Sequence, residues 1–181
     1  MMVYASTEVH NCVNKSVELL GLGSDSLRLI QVNENYEIKI DELQKKIEQD
    51  KEEGLQPFCV IGNAVTVNTG ACDDLNALAN LCEKENLWFH VDGAIGAMLS
   101  LSEKYKNKIA GIERADSLAF DMHKWMYIPY EAACTLVRNG LRITKHFQCR
   151  LLTCNMNSGV WLAEIYGSVI MELNYHAALK P

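Results

Sequence analysis

The sequence predicts an α/β domain built on a mostly parallel sheet flanked by helices. Three observations carry this. Short apolar runs alternate with segments of helical periodicity, which is the pattern of strand–helix–strand crossover units. FCVIGNA at 58–64 is apolar nearly throughout, as a strand covered on both faces requires. Residues with chemical potential fall just after two such runs, at the carboxyl ends of strands, where ligands sit in sheets of this kind.

The elements follow in order. VYAS at 3–6 reads as the end of a strand. Thr7 then caps a helix with Val9, Val13, Val17 and Leu20 at helical spacing, and Gly21 stops it. LRLIQV at 27–32 is a strand and NENY a turn. Asp41 caps a second helix, with Leu43 and Ile47 inward and the charge run QKKIEQDKEE as its solvated face. Gly54 ends it. After FCVIGNA and the turn VNTGA, Asp73 or Asp74 opens a helix carrying Leu75, Leu78, Ala79 and Cys82. LWFHVD at 87–92, SLAFD at 117–121 and AACTLVR at 132–138 are strands, with a helix expected over 102–110. Beyond about 140 the period degrades, and WLAEIYGSVIMELNYHAAL at 161–179 reads as a helix.

Composition bounds the function. At 181 residues the chain has the length of one domain. A net charge of −6 argues against a nucleic-acid surface. No apolar stretch is long enough to span a bilayer, and the N-terminus has no basic segment followed by an apolar core. The seven cysteines are odd in number, irregularly spaced and without CxxC, which argues against a disulfide framework or a zinc site. They read as small core hydrophobes in a reduced, cytoplasmic setting. No metal, nucleic-acid or membrane partner is expected.

Two short segments carry the chemistry. HVDGA at 90–94 places Asp92 at the end of an apolar run, and DMHKW at 121–125 places Lys124 beside His123 after the next. A carboxylate and an amine at neighbouring strand ends suit a cofactor with a cationic ring nitrogen at one end and an aldehyde at the other. Pyridoxal phosphate is such a cofactor. An amine attacks an aldehyde only when unprotonated, and Trp125, Met126 and Tyr127 offer apolar bulk around Lys124. An isolated lysine is usually a solvated surface group, and Asp92 alone could equally be a helix cap or turn aspartate. His10 could stack on a ring or remain structural. Asn63 and Thr66 could bond a cofactor or Asp92, or simply build the turn. No GxSxG, P-loop, HExxH or GxGxxG is present, which weakens the alternative of a nucleotide-binding α/β domain.

Four segments in order, YASTEVHNCV, NAVTVNTGACDDL, LWFHVDGAIGA and ADSLAFDMHKW, resemble the pyridoxal-phosphate-dependent group II amino-acid decarboxylases, the family of the aromatic-L-amino-acid and glutamate decarboxylases. The resemblance covers roughly residues 1–140. It implies the central part of the large domain of the type I, aspartate-aminotransferase-like fold over 1–140, and the degraded pattern beyond it makes 141–181 a divergent helical tail. It implies decarboxylation of an L-amino acid to the amine and carbon dioxide with pyridoxal 5'-phosphate. By the same match Lys124 is the Schiff-base lysine, Asp92 the partner of the pyridine nitrogen and Ala94 the residue beneath the ring. His10 stacks over the ring, His123 lies near the phosphate, and Thr66 sits in the turn that supports Asp92.

The chain departs from the family pattern in places. Val65 stands where NAGTVNTG has glycine, Met122 replaces a proline or leucine, and Ile95 an aromatic. The glycine- and serine-rich phosphate segment, the mobile loop, the small domain and the carboxylate-gripping arginine have no evident counterpart. The chain is therefore expected to be a truncated member. Either it is a functional decarboxylase, or a piece of one that works with another chain, or it is an inactive fragment that binds the cofactor weakly or serves in assembly. A sheet lacking strands exposes an edge and an apolar face, so self-association or a complementary chain is expected.

Overall fold

A computed structural model describes residues 1–139 together with two strands at 160–165 and 168–173. Among the described residues a single sheet holds eight strands. They are β1 (Met2–Ser6), β2 (Leu27–Ile30), β3 (Pro57–Asn63), β4 (Trp88–Asp92), β5 (Ser117–Asp121), β6 (Ala133–Val137), β7 (Val160–Ile165) and β8 (Ser168–Leu173), in the order β2-β1-β3-β4-β5-β6-β8-β7. The pairs from β2 through β5 are parallel, β6 runs antiparallel to β5, and β8 pairs parallel with β6. The expected mostly parallel sheet is present.

Three α-helices pack on it: α1 (Cys12–Leu19), α2 (Ile40–Glu52) and α3 (Leu75–Glu85). Strand alternation sorts the side chains. Tyr4, Val60, Phe89 and Val91 point to the face covered by α2 and α3, where Leu43, Ile47, Leu75 and Leu78 complete the main core. Val3, Ala5, Cys59 and Ile61 point to the other face and meet Val17 of α1. Among the described residues, α1 is the α-helix contributing to that second cluster. The two faces are thus unequally covered, and the thinly covered one carries the polar residues of interest.

Local chemistry explains the boundaries. Asp74, not Asp73, caps α3: its Oδ1 accepts the Ala77 N–H at 3.0 Å. Asp73 turns inward, accepting from the Ile38 N–H at 2.8 Å and from the backbone and side-chain amides of Asn63 at 2.7 and 3.0 Å. Gly21 and Gly54 follow α1 and α2 at φ +74° and +75°, the left-handed stop that glycine permits. Cys59, Cys82 and Cys134 are buried as expected, whereas Cys12 is exposed.

Several expectations need correction. Thr7 does not cap α1. Its N–H donates to Ile30 O at 2.9 Å, extending the β1–β2 ladder. The helix starts only at Cys12, and Leu20 is exposed while Leu22 packs inward. α2 begins at Ile40, so Asp41 lies in its first turn rather than at its cap, where its charge suits the helix dipole. In place of the helix expected over 102–110 there is a 3₁₀ turn at Lys106–Ile109, flanked by others at Gly96–Leu101 and Ile112–Arg114; within 102–110 Ile109 is the one residue buried in the core. The helix expected over 161–179 is instead, across 160–173, the antiparallel pair β7 and β8. Its two apolar runs meet at Gly167 and are rich in β-branched residues, and such runs do not distinguish strand from helix by period. The rest of that segment, and the segment 141–159, lie outside the described residues.

A buried ion cluster ties the sheet to α2. The fully buried Asp50 accepts from Tyr4 Oη at 2.8 Å and from Arg28 Nε at 3.1 Å and Nη2 at 3.2 Å, and Lys46 Nζ lies 3.3 Å away. Burial pushes the Asp50 carboxyl up. The hydrogen bonds from Arg28, Tyr4 and Lys46 outweigh it and hold the group below the usual carboxylate range.

Candidate active site

The site is assembled at the carboxyl ends of β3, β4 and β5. Register sets Asn63 beside Asp92 and Asp92 beside Ala119, and Asp121 ends β5 two residues further on. Asp92 is pinned by its neighbours. Its carbonyl accepts the Ala64 N–H at 2.8 Å, and the next N–H, of Gly93, donates to Ala119 O at 2.8 Å. Its Oδ1 accepts the Ala94 N–H at 3.1 Å, closing a short turn. Gly96 lets this segment lie against the end of β3, because a Cβ there would stand 2.3 Å from Ala64 O.

Lys124 comes from the loop between β5 and β6. The loop is closed by Met122 N–H to Ala132 O at 3.0 Å and Lys124 N–H to Asp121 O at 3.2 Å. Lys124 Nζ lies 2.6 Å from Asp121 Oδ2, with 40% of the lysine side chain exposed. Trp125, Met126 and Tyr127 do not shield it. All three are exposed, and Tyr127 sits at φ +54°.

A cleft of about 640 Å³ joins these groups. His10, Asn63, Thr66, Asp92, Ala94 and Lys124, six of the seven residues singled out from sequence, line it. His123 is not among the lining residues. It is exposed, and its Nδ1 lies 3.0 Å from Ala132 O, a contact in which the ring N–H donates. Thr66 is buried, with Oγ1 2.6 Å from Thr69 Oγ1 and accepting the Ala71 N–H at 3.2 Å. Its side chain closes the 66–71 turn, and the turn reaches Asp92 through the backbone of Ala64. Asn63 spends its amide on Ser6 Oγ and Asp73, so it builds the sheet end. His10 lies just before α1, not inside it, and its Nδ1 accepts the Cys12 N–H at 3.3 Å.

Further residues belong to the cleft that sequence reasoning did not select. Asp121 is the ionic partner of Lys124. Cys12 lines the wall, and burial, then the Asp92 carboxylate, push its thiol up, so it stays protonated. His90 shares a face with Asp92, two residues away on β4. Its Nδ1 lies 2.7 Å from Ser117 Oγ, which also accepts Trp88 Nε1 at 2.8 Å. Burial lowers the His90 pKa and Asp92 pulls it partly back, leaving a neutral imidazole. Period-two alternation along LWFHVD was the signal that could have found His90. A second cleft of about 700 Å³, lined by Phe58, Trp88, Arg114 and Arg138 among others, holds neither Asp92 nor Lys124. Its arginines are spent on Glu83, Asn76 and the Ala115 carbonyl.

The donor set fits pyridoxal phosphate. It offers a fixed carboxylate, a primary amine and a wall containing the small residue Ala94 within one cleft. A carboxylate suits a protonated ring nitrogen and an amine suits an aldehyde carbon.

Comparisons with known proteins agree. Residues 1–165 match the pyridoxal-dependent decarboxylase conserved domain. Over 147 residues the chain is 43% identical to an aromatic-L-amino-acid decarboxylase of Bacillus atrophaeus, covering 81% of this chain and 31% of that protein. It is 34% identical to the cysteine sulfinic acid decarboxylase of Mus musculus over 145 residues, 80% of this chain and 29% of that one. Among solved structures, the glutamate decarboxylase domain of a Vibrio parahaemolyticus diaminobutyrate-pyruvate transaminase and L-2,4-diaminobutyrate decarboxylase superposes with a TM-score of 0.70 at 37% identity. That match covers 72% of this chain and 28% of the other. Oryza sativa TDC with PLP and tryptamine gives 0.68 at 26%, over 72% and 27% of the two chains.

The fold and site thus define a type I pyridoxal-phosphate α/β domain. The chain belongs to the pyridoxal-dependent decarboxylase family, whose cofactor is pyridoxal phosphate, and spans about a third or less of the length of these relatives. No helix among the described residues is long and apolar enough to cross a membrane.

Proposed function

We propose that this chain carries the cofactor-holding part of a pyridoxal-phosphate-dependent L-amino-acid decarboxylase, yielding an amine and carbon dioxide. The observation that supports it is the placement of Asp92 and Lys124 in one cleft. Lys124 would hold the cofactor's aldehyde carbon through Nζ, once that amine leaves Asp121 and gives up its proton. Asp92, fixed by the Ala64 and Gly93 backbone bonds, would accept a hydrogen bond from the protonated ring nitrogen. Ala94 would floor the ring and His10 cover it. Thr66 would keep the 66–71 turn, and through it Asp92, in place. His123 would face the phosphate side after turning from Ala132. When bound, the cofactor supplies a sink for the electron pair left as carbon dioxide departs.

The test is release of carbon dioxide from aromatic and acidic L-amino acids by the protein loaded with pyridoxal 5'-phosphate. Release from at least one class, absent in Lys124→Ala, is expected. Cofactor capture without release from any of them would favour a second reading, a binding or assembly unit without turnover. The exposure of Lys124 in the cleft, and of Trp125 and Tyr127 beside it in sequence, supports that second reading.

The same exposed side chains, with Tyr130, suit closure by a second copy or a complementary chain. Sedimentation velocity should show a concentration-dependent shift to a larger species. A single monomer at every concentration would contradict self-association.

A further inference from the structure

Val65 holds a backbone conformation that β-branched residues avoid. Its φ is +67°, in the left-handed region where Cβ crowds the following carbonyl. Hydrogen bonds on both sides impose it. The Ala64 N–H is tied to Asp92 O and the Thr66 N–H to Ala71 O, and Ala64 pairs with Cys72 as an isolated bridge. The turn that pins Asp92 therefore overrides the preference of its own residue, and strain of this kind gathers at functional sites.

The same geometry directs the side chain. Val65 lines the cleft with Asp92, Ala94 and Lys124. Its Cγ2 stands 2.8 Å from the place a Cβ on Gly96 would occupy. The isopropyl group thus takes up space that the glycine leaves open beside the residues proposed to hold the ring. A flat ring could gain that space only by backbone movement, which the bonds to Asp92 and Ala71 oppose, or by a change of rotamer, which a β-branched side chain resists.

We propose that Val65 is a specificity-determining residue that narrows the cleft beside Asp92 and Ala94, so that a small aldehyde reaches Lys124 more readily than a flat aromatic one. This rests on the reading of the cleft as a pyridoxal phosphate site. The class of ligand affected is the planar ring aldehyde. A two-carbon aldehyde such as glyoxylate needs only Lys124 and is indifferent to Val65.

The experiment compares wild type, Val65→Gly and Val65→Ala. Each is incubated with pyridoxal 5'-phosphate or with glyoxylate, reduced with borohydride, and the fraction of Lys124 modified is read by peptide mass spectrometry. Melting temperatures are taken without ligand. Val65→Gly should raise capture of pyridoxal 5'-phosphate by about tenfold, because the bulk that narrows the cleft is gone. Glyoxylate capture should stay within about twofold, and the melting temperature should rise by roughly 2–4 °C. Val65→Ala removes the bulk but keeps the Cβ, so it should gain part of the capture without the thermal gain. Equal gains with both aldehydes would place the effect on Lys124 and overturn the proposal. If wild type captures pyridoxal 5'-phosphate and neither variant gains, this inference alone falls. If all three proteins capture glyoxylate and none captures pyridoxal 5'-phosphate, the cofactor reading falls with it.

Discussion

Replacing Asp50 with alanine is expected to lower the unfolding free energy by about 3 kcal/mol, the low end of the range for breaking a buried ion pair. Asp50 is fully buried, while the Arg28 and Lys46 side chains keep 25% and 28% exposure, so solvent screens part of the loss. Tyr4, fully buried, would be left with a hydroxyl that has lost its acceptor. The loss falls on β1, on its neighbour β2 through Arg28, and on α2 together, so this side of the sheet and its covering helix should respond as one.

The midpoint of urea unfolding should drop by about 1–2 M at neutral pH. Because the folded carboxyl lies below its unfolded value, its stabilisation is present above the ordinary carboxylate pKa of about 4. It is lost as pH falls through the lower folded value. The difference between wild type and Asp50→Ala should therefore narrow in acid. A gap under about 1 kcal/mol at neutral pH, or one that widens in acid, would show that the cluster does not hold α2 to the sheet.

The sequence showed the parts of the fold governed by short-range pattern. β5 falls on SLAFD as read, β3 and β4 within a residue, and Leu43 and Ile47 lie inward on α2. Asp92 and Lys124 were legible because each follows an apolar run in a parallel sheet, and the cleft joins them. What escaped depends on partners distant in sequence or on backbone geometry. The start of α1 was misplaced because Thr7 bonds β2, 23 residues away. The inward turn of Asp73 answers Ile38 and Asn63 rather than its own helix. The Asp121–Lys124 pair needs the turn that brings i and i+3 together, which DMHKW alone does not announce. Val65 was visible as a departure from the family pattern, but its left-handed φ was not. The strands at 160–173 could not be told from a helix by apolar count.

Lys124→Ala is the second large expected effect, and it bears on the function directly. Of the lysines in the described residues, Lys124 is the one lining the cleft with Asp92. The others sit on α1, on or beside α2 and α3, or on the 102–110 segment. A cofactor aldehyde meeting a random surface would distribute among them by exposure, and Lys45 and Lys84 are more exposed than Lys124. A cofactor oriented by Asp92 would select Lys124 despite its ion pair, because holding reactants in place outweighs simple access.

The decisive measurement is borohydride trapping of the protein with an equal concentration of pyridoxal 5'-phosphate, followed by peptide mapping. The label should sit on Lys124, vanish in Lys124→Ala without reappearing elsewhere, and fall by at least about tenfold in Asp92→Ala, which removes a charge-assisted hydrogen bond. Label spread over the surface lysines, with Lys124 no more modified than Lys45 or Lys84 and Asp92→Ala without effect, would contradict the assignment of this cleft as a pyridoxal phosphate site.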